Sequence, residues 1–508
     1  MLEAGFNLDF VVLAILLLGS VAIGIRTGRG MSSADAYLLG DRSLPWWAIL
    51  GSIVATETSA ATVLSIPGES ASGIGLRWLQ LPLGYLLGRL LVAQLLLPRY
   101  FDGQLMTAYE LLERRFGAIT RRGCSLVFLI ARNLGDGLRL FLAGLVLREM
   151  LDWPFAVSVS VMGIVTVAYT ILGGLKSVVW NDCIQFVIYM AGGIASVFVL
   201  AAAIPGGWSG IQAFAVESGH LRVFDLSWSL EQPFTLWAGL IGGAVLTIGT
   251  HGTDHMMVQR YLSARSLRDA RRAVIWSGVV VLLQFALFLF IGVQLACFLA
   301  ASGRPFPKSS DEIFVGFIVN DFPRGTGLVG LMLAAVLSAA MSTLSSSLNA
   351  SASALLNDFW LPLRRKPAPS AAVQLRWSRW LTLFFGFVQV GTALWATWLD
   401  RSVVQNALTI AGFSGGLLLG IFLLGLFSRR AGQAAALTGA ACGVAVLLLV
   451  RFVLPAGVNL AGVRLQLALA WPWLALTGAL TTCLCGSLAA FIWPAPRLRP
   501  DAADAGRV

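Results

Sequence analysis

Long apolar runs separated by short polar stretches set the pattern of this chain. About thirteen of them reach the ~20 residues needed to cross a hydrocarbon core. They lie near 8–26, 45–66, 76–98, 124–149, 154–174, 182–204, 234–251, 271–300, 328–356, 378–399, 405–428, 433–454 and 471–493. The runs are continuous and lack the alternation of barrel strands, so the pattern predicts an all-α polytopic membrane protein and excludes a transmembrane β-barrel. The connections 99–123, 205–233, 252–270, 301–327 and 357–377 are too short for soluble domains, and residues 1–508 read as one transmembrane domain. Within the connections, 106–116 has apolar positions at helical spacing and is expected to lie along the cytoplasmic membrane face.

Three runs carry polar residues where lipid-facing helices do not. The second has Thr56, Glu57, Thr58, Ser59 and Thr62 near its middle. Hydroxyls and a carboxylate at that depth predict a broken helix or one lining a wet cavity, as in secondary transporters. The seventh ends in Thr247 to Asp254, with glycines at 249 and 252, and is expected to be unwound as well. If the two interrupted helices correspond, spans two to six pair with spans seven to eleven as an inverted repeat. The repeats are then 45–204 and 234–428, with 429–508 forming peripheral helices and a cytoplasmic tail. In the ninth run Ser338, Ser342, Ser345, Ser346 and Asn349 recur at i, i+4, i+7, i+8 and i+11 and share one helix face. Such a face either coordinates a hard cation, with Asp182 supplying negative charge, or packs closely against neighbouring helices.

Composition agrees with the pattern, since 57% of the 508 residues are hydrophobic and 12% are charged. The net charge of +11 is explained by topology rather than by nucleic-acid binding. Basic residues gather in alternate connections: Arg26, Arg29 and Arg42; Arg114, Arg115, Arg121 and Arg122; Lys176; and Arg260, Arg265, Arg268, Arg271 and Arg272. Their side is cytoplasmic by the positive-inside rule, which puts the N-terminus outside and the C-terminus inside a plasma (inner) membrane. The first run lacks a basic leader and reads as a retained helix. Six cysteines in or beside spans suggest neither a disulfide framework nor a zinc site, and His251 and His255 lack a third ligand. No nucleophile elbow or metal-ligand motif stands in the chain, so an enzyme is not expected. Polar residues concentrated at one membrane level favour a carrier over a channel. Gly412, Gly416 and Gly420 make a face suited to close helix packing.

Three stretches together resemble the sodium/solute symporter family, whose members carry sugars, proline, iodide, vitamins and sialic acid. They are Gly173 to Gln185, Val258 to Ala264, and the serine ladder through Ser351, and the resemblance covers roughly Asp9 to Asp358. It implies a thirteen-helix carrier with a LeuT-like five-plus-five inverted-repeat core, working by alternating access with Na+ as the driving ion. It also implies a first sodium site at Ala55, Thr58, Ala339, Ser342 and Thr343. A second, found in some members, matches Asp182, Ser342, Ser345 and Ser346. Many relatives have alanine where Ser345 stands, so its presence favours two sodium ions per cycle. Asp182 needs a cation in any case, because a buried carboxylate is costly unless paired; the alternative partners are Arg132 and Arg139.

The solute is expected to be a small polar organic molecule. Arg139 lies inside the fourth run and matches an arginine with which sialic acid carriers hold a carboxylate, although Asp136, three residues earlier, offers it an internal partner. Thr58, Ser59, Thr62 and Gln80 are candidate hydrogen-bonding groups, with Trp78 and Phe141 as apolar walls. Glu57 departs from the neutral residue of many sugar carriers and is suited to binding an amine or assisting the ion site. An organic anion or zwitterion, such as a sugar acid or amino acid, is the favoured class. A transporter-like sensor and a proton-coupled carrier remain as alternatives.

Overall fold

The computed structural model describes residues 8–494 apart from 103–104, 308, 365–366, 368, 399–402, 457, 461–462 and 466. Nine helices among the described residues are long and apolar enough to cross a membrane. The expected thirteen spans differ from this count for physical reasons. The helix Phe155–Ala203 contains Gly174 at φ 53°, ψ −150° and is therefore two rods, 155–173 and 175–203. The helix over the second run stops after 12 residues at Glu57, that over the fourth carries Arg132, Asp136 and Arg139, and that over the seventh is short.

In chain order the elements that position the site are α1 (Leu8–Gly28), α2 (Trp46–Glu57), α3 (Ala60–Glu69), α4 (Gln80–Leu91), α5 (Ala118–Leu151), α6 (Phe155–Ala203), α7 (Gly243–Gly252), α8 (His255–Leu262), α9 (Leu267–Ser302), α10 (Ser310–Asn320), α11 (Leu328–Ala354), α12 (Ala371–Trp395), α13 (Val403–Phe427), α14 (Gln433–Leu448) and α15 (Trp471–Ile492). A small antiparallel hairpin, β1 (Val458–Leu460) with β2 (Val463–Leu465), joins the last two helices. Of the expected amphipathic stretch 106–116 only Glu110–Phe116 is helical; its Leu112 and Phe116 are buried, and Arg121 bonds Glu110 and Glu113.

The serine-rich helix α11 is the hub. In its span 89% of the most apolar window is buried, against 28–50% in the other eight, so its hydroxyls face protein rather than lipid. It lies along α6, where the Tyr169 hydroxyl donates to the Met341 carbonyl at 3.1 Å. Small residues permit this approach: a Cβ on Gly192 would stand 3.0 Å from the Ala335 side chain.

Both expected interruptions are present. Between α2 and α3, Thr58 (φ −81°, ψ 107°) and Ser59 (φ −98°, ψ 170°) are extended. Between α7 and α8, Thr253 and Asp254 leave the helix, and the Asp254 carboxylate accepts from Met256 N at 2.9 Å to restart it.

Gly174 makes the sharpest demand on sequence. Its backbone region is essentially confined to glycine, and a Cβ there would meet the Tyr37 carbonyl oxygen at 2.4 Å. Gly174→Ala is expected to destabilise the protein by about 2 kcal/mol or more. A lowered thermal transition of the purified variant checks this; an unchanged transition would contradict it.

Candidate functional site

The first break exposes the C-terminal carbonyls of α2. The last carbonyls of a helix have no helical partner and form the negative end of its dipole. Here the Val54 carbonyl accepts from Thr58 N at 3.1 Å and Thr58 Oγ1 at 2.8 Å. Those of Ala55 and Thr56 turn to α11: Ser342 Oγ donates to Ala55 O at 2.6 Å, and Thr343 Oγ1 to Thr56 O at 3.0 Å. Both hydroxyls also reach Ala339 O at 3.3 Å. Ala55, Ala339, Ser342 and Thr343 of the expected first sodium site thus form one buried cluster of oxygens, while Thr58 bonds instead to Val54, Gln284 and Tyr189. Neutral oxygens at the negative end of a helix suit a hard monovalent cation.

Of the residues expected at the second sodium site, Ser342 and Ser345 bond to Ala55 and within α11, and Ser346 alone is linked, through Thr56 and Arg260, to Asp182. Its Oδ2 accepts from Ser52 Oγ at 2.5 Å and Thr56 Oγ1 at 3.3 Å. Its charged partner is Arg260, with Nη2 at 3.3 Å, and neither Arg132 nor Arg139. The sequence reading set Arg260 among the loop cations, yet it is fully buried, donating to Ser52 Oγ at 2.8 Å, Met256 O at 2.7 Å, Thr56 Oγ1 and Ser346 Oγ. The misplacement has a clear cause: α8 has only eight residues, too short to register as a span, yet the fold draws it into the core. Asp182 Oδ1 and both polar atoms of Gln185 are buried with no hydrogen-bond partner among the described residues. Ser345 Oγ donates to Ser342 O at 3.2 Å.

Arg139 pairs with Asp136 through Nη1. Arg132 bridges Asp136 at 3.0 Å and Asp254, at the second break, at 3.3 Å. Two arginines and two aspartates therefore compensate one another while linking α5 to the hinge of the other broken helix. Arg132, Arg139, Thr250, Asp254 and Ser414 line a cavity of about 80 Å³ between α5, α7 and α13. A larger cavity, about 610 Å³, lies between α3, α5 and α10 and reaches Ala60, beside the first break.

The other expected solute residues do not converge. Thr58 Oγ1 bonds with Gln284 and Tyr189, at 2.7 and 3.2 Å. Ser59 and Thr62 form the capping box of α3. Gln80 holds the segment before α7, through Phe234 O and Asp225 N, both at 2.9 Å, while Trp78 packs on Phe234 and Trp471. Phe141 packs edge-on against Phe155. Glu57 meets Arg89 and His251. Sequence reasoning missed Arg89, Gln284 and Ser52, and weighed His251 only as a metal ligand; the available signal was Arg89 itself, a charge inside an apolar run with Glu57 unpaired in the preceding one.

Residues 37–443 match the Sodium:solute symporter family. The chain is 30% identical to the human sodium-coupled monocarboxylate transporter 1, covering 86% of this chain and 72% of that protein. It is 29% identical to the human sodium/iodide cotransporter, over 86% and 68% respectively. Among solved structures, a substrate-bound, outward-open Na+-coupled sialic acid symporter with a novel Na+ site superposes with a TM-score of 0.85 at 25% identity, covering 97% of this chain and 99% of that one. The LeuT-like architecture implied by the family resemblance is therefore the observed one.

Proposed function

This chain belongs to the sodium:solute symporter family, a group of sodium-coupled membrane carriers, and on that premise we propose that it imports a small organic anion by alternating access. The observation that carries the ion half is the oxygen cluster of Ala55, Ala339, Ser342 and Thr343; the family resemblance adds the Thr58 carbonyl as a fifth contributor. Sodium there screens the negative end of α2 and draws α2 towards α11, tying ion binding to the hinge. The retained Asp182, Ser342, Ser345 and Ser346 make a second sodium the natural extension, and the unpartnered Asp182 Oδ1 supports it. A second ion there shares the carboxylate with Arg260. Symport driven by sodium moving inward down its gradient makes the direction import.

The solute class is supported by core arginines and by relatives named for monocarboxylate, iodide and sialic acid, all of them anions. A zwitterion is the second choice, since each core arginine already has a carboxylate partner. A thermal-shift panel of monocarboxylates, sugar acids and amino acids in sodium against potassium tests the reading. Ligand at ~100 times its dissociation constant adds about 2.7 kcal/mol of stability. An anion should stabilise the protein in sodium alone; stabilisation equal in potassium would point to a proton-coupled carrier or a sensor.

A further inference from the structure

Glu57 is the last residue of α2, and its carboxylate contacts Nη2 of Arg89 on α4 and stands 3.5 Å from Nε2 of His251 on α7. Arg89 is fully buried. Its Nη1 donates to Ser277 Oγ at 2.8 Å and its Nη2 to His251 Nε2 at 3.2 Å, while its Nε has no partner. A guanidinium only donates, so His251 Nε2 accepts and Nδ1 donates to the Tyr261 hydroxyl at 2.8 Å. Glu57 is the one carboxylate in contact with Arg89 among the described residues. The cluster spans both hinges: Glu57 ends α2 at the first break, and His251 lies two residues before the second. Glu57 is also flanked in sequence by Ala55 and Thr58, contributors to the proposed sodium site.

We infer that Glu57 is a tethered stand-in for the solute carboxylate, and that exchange of the two on Arg89 couples solute to sodium. An arriving carboxylate takes Nη2 together with the unpartnered Nε, the edge of the guanidinium suited to bidentate pairing. Glu57, displaced, becomes an uncompensated carboxylate at the end of α2, and sodium neutralises it. Charge stays matched before and after: Arg89 with Glu57 at first, then Arg89 with solute and Glu57 with sodium. Without sodium the exchange leaves a lone buried anion, which is strongly disfavoured. Solute therefore binds weakly without sodium and, by reciprocity, sodium binds weakly without solute.

The exchange rests on the sodium-symport reading and extends it. Its test measures affinity for radioactive sodium in lipid nanodiscs with and without acetate, propionate, lactate or pyruvate, and binding of each carboxylate in sodium against potassium. In the wild type at least one carboxylate is expected to tighten sodium binding about tenfold or more. Glu57→Gln should reduce that coupling to within about twofold and bind the same carboxylate in potassium about tenfold more tightly than the wild type, its competitor being gone. The charge-balanced Glu57→Gln/Arg89→Gln pair guards against misfolding of the single variant; it should keep sodium binding and lose the carboxylate effect. Wild-type coupling surviving in either variant, or no carboxylate shifting sodium affinity in the wild type, would overturn the exchange. A wild type with no saturable sodium binding would instead remove the symport reading beneath it.

Discussion

Ser342→Ala is expected to raise the sodium concentration for half-maximal transport about 10- to 100-fold, and Thr343→Ala to do the same. Each hydroxyl supplies one oxygen, and a hydrogen-bonding oxygen facing a charged group is worth about 1.5–3 kcal/mol. The effect on folding is smaller. Beyond their proposed role these hydroxyls bridge to carbonyls, Ser342 to Ala55 at 2.6 Å and Thr343 to Thr56 at 3.0 Å, bonds worth about 1 kcal/mol each. The signature is therefore a large shift in sodium dependence with a modest change in thermal stability. Sodium-titrated uptake into proteoliposomes reads the first and thermal unfolding the second. A variant that loses stability while keeping wild-type sodium dependence would mark the cluster as packing alone.

Asp182→Asn is expected to be the most destabilising single substitution in the core. It leaves Arg260, fully buried on α8, without its carboxylate, and breaking a buried ion pair costs about 3–5 kcal/mol. The remaining donors to Ser52, Thr56, Ser346 and Met256 satisfy hydrogen bonds but not charge. Arg260→Met alone should also be unfavourable, leaving Asp182 unpaired, whereas the pair Asp182→Asn/Arg260→Met should recover most of the loss because no buried charge remains. Unfolding of the three variants in one detergent decides the matter. Additive losses in the double variant would show that Asp182 and Arg260 act separately and that the pairing at 3.3 Å carries little energy.

Much of this was legible in the residues. The break after Glu57 was readable because hydroxyls and a carboxylate cannot sit unsatisfied in an apolar run, and the break at Thr253 and Asp254 because glycines and polar groups end one. The ladder on α11 was readable because spacing at i, i+4, i+7 and i+8 assigns a face whatever the neighbours are. Partnerships were less legible. Arg260 looked like a loop cation since charge near the cytoplasmic side is the commonest arrangement, and only the docking of the short helix α8 removes it from water. Gln80 and Trp78 were grouped with Thr58 by chemistry, but they hold the segment leading to α7. Arg139 was weighed against Asp136 because the two stand at i, i+3, and they pair; the link of Arg132 to Asp254 depends on the packing of α5 against the second hinge, which no local pattern encodes.

The most direct measurement is equilibrium binding of radioactive sodium to the purified protein and to its Ser342→Ala/Thr343→Ala variant, with potassium as competitor. Sodium coupling through the α2 break predicts saturable binding in the wild type that potassium does not displace and that the variant loses. Absence of saturable binding, or binding untouched by removal of both hydroxyls, would contradict it.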